Sequence, residues 1–330
     1  MLNQDLNLNQ NIFNEDVEKV ATRVGYGDGL MTLGETNPNV VVLSADLTES
    51  VKANKFAEKY PERFFEMGVA EQNMAAIAAG FGVSGKAAFI SSYATFSPGR
   101  NWEQLRTTAI YNEANVKIAG HHAGLMTGPD GATHQATEDI AITRVWPKMR
   151  VIVPCDSNQA AKATIYAGNE YGPFYLRFTR DNTPIMTTPD TPFEFGQAQV
   201  FWVSETPQAA IFATGYMVYY ALIAAKELEE EGIQTKVINT HTIKPLDEAT
   251  VIGLAKETGA IVTVEDHQID GGLGSAIAEL LAKNQPTPQE FVGLQNTFGE
   301  SGKIDELLVK YFMDKQSIKE AVKRVLSRKS

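Results

Sequence analysis

Short runs of Val, Ile, Leu, Ala and Phe recur along the chain, separated by stretches whose apolar residues return every three to four positions. The runs Val40-Val41-Val42-Leu43, Ala87-Ala88-Phe89-Ile90, Val116-Lys117-Ile118-Ala119 and Val151-Ile152-Val153 predict strands buried on both faces. Between them, 71–82, 98–112 and 157–168 are amphipathic and read as helices. This alternation predicts βα units and a mostly parallel sheet covered on both sides.

The pattern breaks at Thr187-Thr188-Pro189-Asp190-Thr191-Pro192-Phe193, where two prolines and several turn formers replace any helical period. It then restarts, with strands over 209–212, 235–238 and 260–264, a helix over 216–231 ending at Gly232, and a helix over 274–284 opened by Gly271-Gly272-Leu273-Gly274. The expected organisation is a ragged, Asn/Gln-rich start over 1–13, a first α/β domain over 14–187, a linker over 188–193 and a second, smaller α/β domain over 194–330. Each domain is expected to be a mostly parallel sheet flanked by helices, and no repeat of solenoid period is present.

Composition narrows the function classes. With 330 residues and 43% hydrophobic content the chain can bury two sizeable cores. Its formal charge of −11, with no basic run beyond Lys323, Arg324, Arg328 and Lys329, argues against a broad nucleic-acid surface. The start, Met1-Leu2-Asn3-Gln4-Asp5-Leu6-Asn7, is polar where a signal peptide needs a basic and then an apolar stretch, and no apolar run approaches the ~20 residues of a membrane helix. The single cysteine, Cys155, precludes an internal disulfide or a multi-cysteine metal site and reads as a buried structural thiol. Together these features lead to the expectation of a cytoplasmic protein.

The most unusual segment is Gly120-His121-His122-Ala123-Gly124-Leu125-Met126-Thr127-Gly128-Pro129-Asp130-Gly131-Ala132-Thr133-His134-Gln135, which holds three of the five histidines and follows a predicted strand. Ligands of parallel sheets bind at strand ends, and clustered imidazoles in a loop suit proton transfer and hydrogen bonding to hydroxyls. Two other readings stay open, namely histidines that only cap turns and a zinc site, although no i, i+4 pairing or nearby cysteine favours the latter. A second candidate is Glu71, at the mouth of a nearly uncharged helix of small residues, where it is either a charge satisfying free amides or a functional acid. Gly27-Asp28-Gly29 imitates a metal and diphosphate motif but lies inside one helical pattern with no strand before it, so it reads as a decoy.

The segments Ser44-Ala45-Asp46-Leu47-Thr48, Gly68-Val69-Ala70-Glu71-Gln72-Asn73-Met74, Gly131-Ala132-Thr133-His134-Gln135 and Leu176-Arg177-Phe178-Thr179-Arg180 resemble, in order and spacing, the pyrimidine-binding domain of transketolase. From about Phe195 the chain resembles the transketolase C-terminal domain, while the diphosphate-binding domain that precedes this region in one-chain transketolases is not seen. The chain therefore resembles the C-terminal subunit of a split, two-subunit transketolase. The resemblance implies ketol transfer between sugar phosphates with thiamine diphosphate, Mg2+ or Ca2+ held mainly by an N-terminal partner subunit, self-association as a dimer and an α2β2 heterotetramer. It also implies no activity without the partner.

Carried over by position, Glu71 would hydrogen-bond the aminopyrimidine ring and favour the tautomer that activates the cofactor. His122 and His134 would contact substrate hydroxyls and assist proton transfer, and Asp130 would read the C2 hydroxyl. Arg23, Ser50 and Arg180 would hold the sugar phosphate. Phe96 matches the phenylalanine that stacks on the aminopyrimidine, and Trp102 sits where the family often has tyrosine. Gly99, Arg100 and Ala123 depart from the family pattern. Glu265-Asp266-His267, after a predicted strand of the second domain, reads as surface and interface. The competing readings are the beta subunit of a 2-oxoacid dehydrogenase, deoxyxylulose-phosphate synthase, and a non-catalytic subunit that keeps the fold.

Overall fold

The computed structural model describes residues 1–329. Seven strands form the first sheet, in the order Thr242–Lys244, Arg150–Ile152, Phe174–Arg177, Val116–His121, Ala87–Tyr93, Val40–Ser44, Phe64–Glu66. All neighbours are parallel except the Thr242–Lys244 edge. Alternation along Val40–Ser44 sends Val40 and Val42 into one core and Val41 and Leu43 into another, so both faces are covered.

Five strands make the second sheet, in the order Gln289–Leu294, Ile261–Gln268, Ala209–Ala213, Thr235–Asn239, Gln199–Trp202, the last antiparallel to its neighbour. One core unites both units: Val41, Ile90 and Ile118 of the first sheet share it with Phe212, Ile238 and Ile277. The strand Thr242–Lys244, although beyond the linker in sequence, completes the first sheet. The linker residues are tied down, with Thr187 N and Oγ1 donating to the buried Asp156 carboxylate and Lys162 Nζ donating to Thr188 O.

Two expectations need correction. The start over 1–13 is not ragged: Leu2, Leu8 and Ile12 are buried in the second domain's core, Asn3 N donates to Phe201 O and the Phe13 ring meets Trp202 edge-on at 5.8 Å. Asparagines and glutamines hide the apolar residues spaced through it. The stretch 98–112 is not one regular helix either. A short helix, Trp102–Gln104, lies between wide turns at Thr95–Arg100 and Leu105–Ile110, with Pro98 interrupting the first.

Gly27-Asp28-Gly29 lies within the helix Thr22–Thr36, as the pattern predicts. Its two glycines serve packing: an added Cβ at Gly27 would stand 2.7 Å from Lys52 O, and one at Gly29 would stand 2.7 Å from Thr164 Cβ on the helix Ser157–Asn169. Cys155 is fully buried, which pushes its thiol pKa well up, as a structural thiol requires. No described helix is long and apolar enough to cross a membrane.

Candidate active site

Four adjacent parallel strands deliver side chains to the same sheet edge. Past the carboxyl end of Phe174–Arg177 comes Arg180, past Val116–His121 comes His122, at the end of Ala87–Tyr93 stands Tyr93, and the segment after Val40–Ser44 carries Ser50. That edge is where a parallel α/β sheet leaves room for ligands. Arg23, in the first turn of Thr22–Thr36, joins them by donating from Nη1 to Ser50 O at 2.7 Å.

Arg23 and Arg180 line one cleft of about 390 Å3 with Lys19, Asn182, Tyr219 and Tyr220 and with the carboxylates Asp181 and Asp305. Burial and the neighbouring Arg180 both lower the Arg23 pKa, and its buried Nε has no partner. Two cations held near each other with donor capacity to spare describe an anion site. Arg180 is partly engaged by Asp181 at 3.4 Å and Asp130 at 3.8 Å.

The histidine-rich loop separates into distinct roles. His121 is fully buried between Tyr26 and Phe178, with ring centroids at 4.8 and 5.0 Å, and belongs to the core. His122 turns out of the strand with φ of 54° and stacks on Tyr93 at 3.8 Å. Burial, then Arg23 and Arg180, push its pKa down to about 3, so it is neutral near pH 7, and its Nδ1 is buried without a partner. His134 stands edge-on to Phe96 at 5.5 Å and to Tyr93 at 6.1 Å, its Nδ1 paired with Thr133 Oγ1 at 2.8 Å.

Glu71 opens the helix Glu71–Val83 and is only 1% exposed. Its Oε2 accepts from Arg100 Nη1 at 2.7 Å rather than from a free amide of its own helix. Arg100 also lies 4.6 Å over the Phe96 ring, which links the carboxylate to the ring cluster. A deeply buried carboxylate beside an aromatic face and a half-exposed arginine is a setting into which a heteroaromatic ring with a protonated nitrogen fits.

The structure thus brings together Arg23, Ser50, Phe96, His122, Asp130, His134 and Arg180, with Glu71 joined through Arg100. Trp102 is set apart: its indole donates to Ile142 O and stacks on Trp146 at 5.2 Å, with no ring contact to Phe96. Tyr93 is the participant that the sequence reading left without a role. Its Oη bonds Ser50 Oγ at 2.9 Å while its ring carries His122, and only its place at a strand end hinted at this. Glu265, Asp266 and His267, read as surface and interface, are all buried at the junction of the two domains. No group of three or more His, Cys, Asp or Glu among the described residues is disposed to hold a metal ion.

Comparison with known proteins identifies the family of both domains. The family described as "Transketolase, pyrimidine binding domain" matches residues 18–186, and "Transketolase, C-terminal domain" matches 197–318. A protein of Methanocaldococcus jannaschii assigned as a transketolase C-terminal section is 43% identical over 299 residues, 90% of this chain and 93% of its own length. A 6-deoxy-6-sulfo-D-fructose transketolase subunit of a Clostridium species is 36% identical over 318 residues, covering 96% of this chain and 98% of that one. A solved structure described as a split gene transketolase, inactive beta4 tetramer, superposes with a TM-score of 0.88 at 43% identity, covering 94% of this chain and all of the other. With both domains matched and the strand-end site in place, the chain belongs to the transketolase family, as a C-terminal section of the split form.

Proposed function

We propose that this chain is the sugar- and aminopyrimidine-binding subunit of a two-subunit transketolase that moves a two-carbon ketol unit from a ketose phosphate to an aldose phosphate. One observation carries the reading. An unbroken series of contacts runs from Glu71 through Arg100, Phe96, His134, Tyr93 and Ser50 to Arg23, with His122 stacked on Tyr93. A cofactor-type carboxylate and an anion site are thereby joined by a wall of rings and imidazoles.

Thiamine diphosphate, when bound, supplies the electron sink for breaking and remaking a carbon–carbon bond. Glu71 would hold its aminopyrimidine nitrogen, and Phe96 would offer a ring face. His122, neutral and with an unpartnered Nδ1, is suited to bind a substrate hydroxyl. His134 is steadied through Thr133 and has its other ring nitrogen available for a proton in transit. Asp130, beside Arg180, suits a hydroxyl next to the phosphate-bearing end, and Arg23, Ser50 and Arg180 would hold the phosphate.

The diphosphate and its Mg2+ or Ca2+ are assigned mainly to an N-terminal partner subunit, since Gly27-Asp28-Gly29 lies inside a helix and its two glycines are taken up by packing. A surface for such a partner exists beside Glu71. The exposed face of its helix, Gln72, Asn73, Ala76, Ile77, Gly80 and Val83, carries no charge, and Val69 just before it is 69% exposed. An α2β2 assembly, two copies of this chain with two partners, is the proposed form. The description of the solved relative as inactive supports dependence on a partner.

In the assembled enzyme, Glu71→Ala should lower kcat at least about a hundredfold, the scale of losing a positioned acid–base group. Turnover equal to the unaltered enzyme would remove Glu71 from the site.

A further inference from the structure

The loop over 122–135, which carries His122, Asp130 and His134, belongs to the first domain in sequence, yet a buried carboxylate of the second anchors it. Asp266, in the strand Ile261–Gln268, accepts through Oδ1 from Leu125 N at 2.9 Å and through Oδ2 from Met126 N at 3.4 Å. These two amides lie between His122 and Asp130. A carboxylate that is 2% exposed must be hydrogen-bonded, and these amides satisfy it. Lifting the loop away would take two backbone donors from this carboxylate.

The sequence of the loop is shaped around this contact. Gly124 adopts φ of +72°, and a Cβ there would stand 2.0 Å from Asp266 Oδ2, so no other residue fits without displacing the carboxylate. Asp266 itself is fixed, because Arg177 Nη2 donates to its backbone oxygen at 2.8 Å, to Ala136 O at 3.2 Å and to Asp139 Oδ1 at 3.1 Å. A second clasp closes the far end of the loop: Gln135 Nε2 donates to Glu300 O at 3.0 Å, and Gly131 approaches Ser301 so closely that an added Cβ would lie 2.5 Å from its Oγ. Inside the loop, Thr127 Oγ1 donates to His122 O at 2.6 Å, while Arg180 Nη1 reaches Thr127 O at 3.4 Å. Movement at Leu125 and Met126 would therefore reach His122, Asp130 and Arg180 together.

We propose that Asp266 is a positioning residue by which the second domain holds the substrate loop of the first in its working geometry. This rests on the reading of 122–135 as the sugar-binding loop. It gives the second domain a part in catalysis through the loop, with no contact to substrate required of it. A site held this way has little ordering left to do when the sugar arrives.

The test has one arm in the isolated chain and one in the assembled enzyme. Asp266→Asn keeps the side-chain shape but turns an NH2 toward one of the two amides. Hydrogen exchange of the isolated chain should then show amides over 124–131 exchanging about tenfold faster, the scale of one lost charged hydrogen bond, with Ala209–Ala213 unchanged. In the assembled enzyme the KM for ketose phosphate should rise about tenfold. That loss should shrink measurably in an Asp130→Ala background, where the loop no longer has Asp130 to position. Gly124→Ala breaks the same contact from the loop side and should give the same pattern if Asp266→Asn does not fold. Unchanged exchange over 124–131, or losses from Asp266→Asn and Asp130→Ala that simply multiply, overturns the inference. An inert unaltered enzyme would instead overturn the proposed function, and exchange would still decide whether Asp266 tethers the loop.

Discussion

Arg23 and Arg180 show how little of a residue's meaning lies in its type. Either would pass for a surface arginine, but the fold puts them in one cleft, where burial and then the Arg180 charge lower the pKa of Arg23. Such a pair is relieved by a dianion. Arg180→Ala should therefore raise the KM for a phosphorylated sugar about tenfold to a hundredfold, the value of charge-assisted hydrogen bonds, and leave an unphosphorylated analogue nearly unaffected. Steady-state kinetics on matched substrates checks this, and equal losses on both would take Arg180 out of the anion site. Glu71 and Arg100 teach a related lesson. Sequence marked Glu71 as an acid and Arg100 as a departure from the family pattern, while their pairing needed coordinates, because 29 positions separate them along the chain.

The elements were legible where periodicity was strong. Runs such as Val40-Val41-Val42-Leu43 could only be strands, and the helices Glu71–Val83 and Ser157–Asn169 lie where the amphipathic pattern put them. Legibility failed where tertiary contacts override local pattern. The wide turns over 95–110 carry apolar positions at helical spacing, yet Pro98 interrupts the first of them and the second, Leu105–Ile110, is wound wider than an α-helix. The N-terminal strap failed for another reason: its few apolar residues are diluted by Asn and Gln, and only the second domain's core reveals their purpose. That strap should matter to stability. Ile12→Ala, which removes a fully buried side chain, should cost about 2–5 kcal/mol in urea unfolding, and a cost near zero would mean that the strap does not dock.

At the level of the whole molecule, the two α/β units are joined by a shared core, an exchanged edge strand and the buried contacts around Asp266. None of these junctions could be read from a chain divided at its linker, because each joins residues far apart in sequence. The resulting body presents the strand-end site together with an uncharged helix face beside Glu71. It carries two arginines in one cleft, imidazoles and a buried carboxylate, and the glycines of its one Gly-Asp-Gly are taken up by packing. The central claim is that this is half of an active site. The most direct measurement is transketolase activity with a ketose phosphate donor, ribose 5-phosphate, thiamine diphosphate and magnesium, on this chain alone and mixed with an N-terminal transketolase subunit. The account predicts turnover in the mixture and none in either chain by itself; turnover by this chain alone, or silence in the mixture, would contradict it.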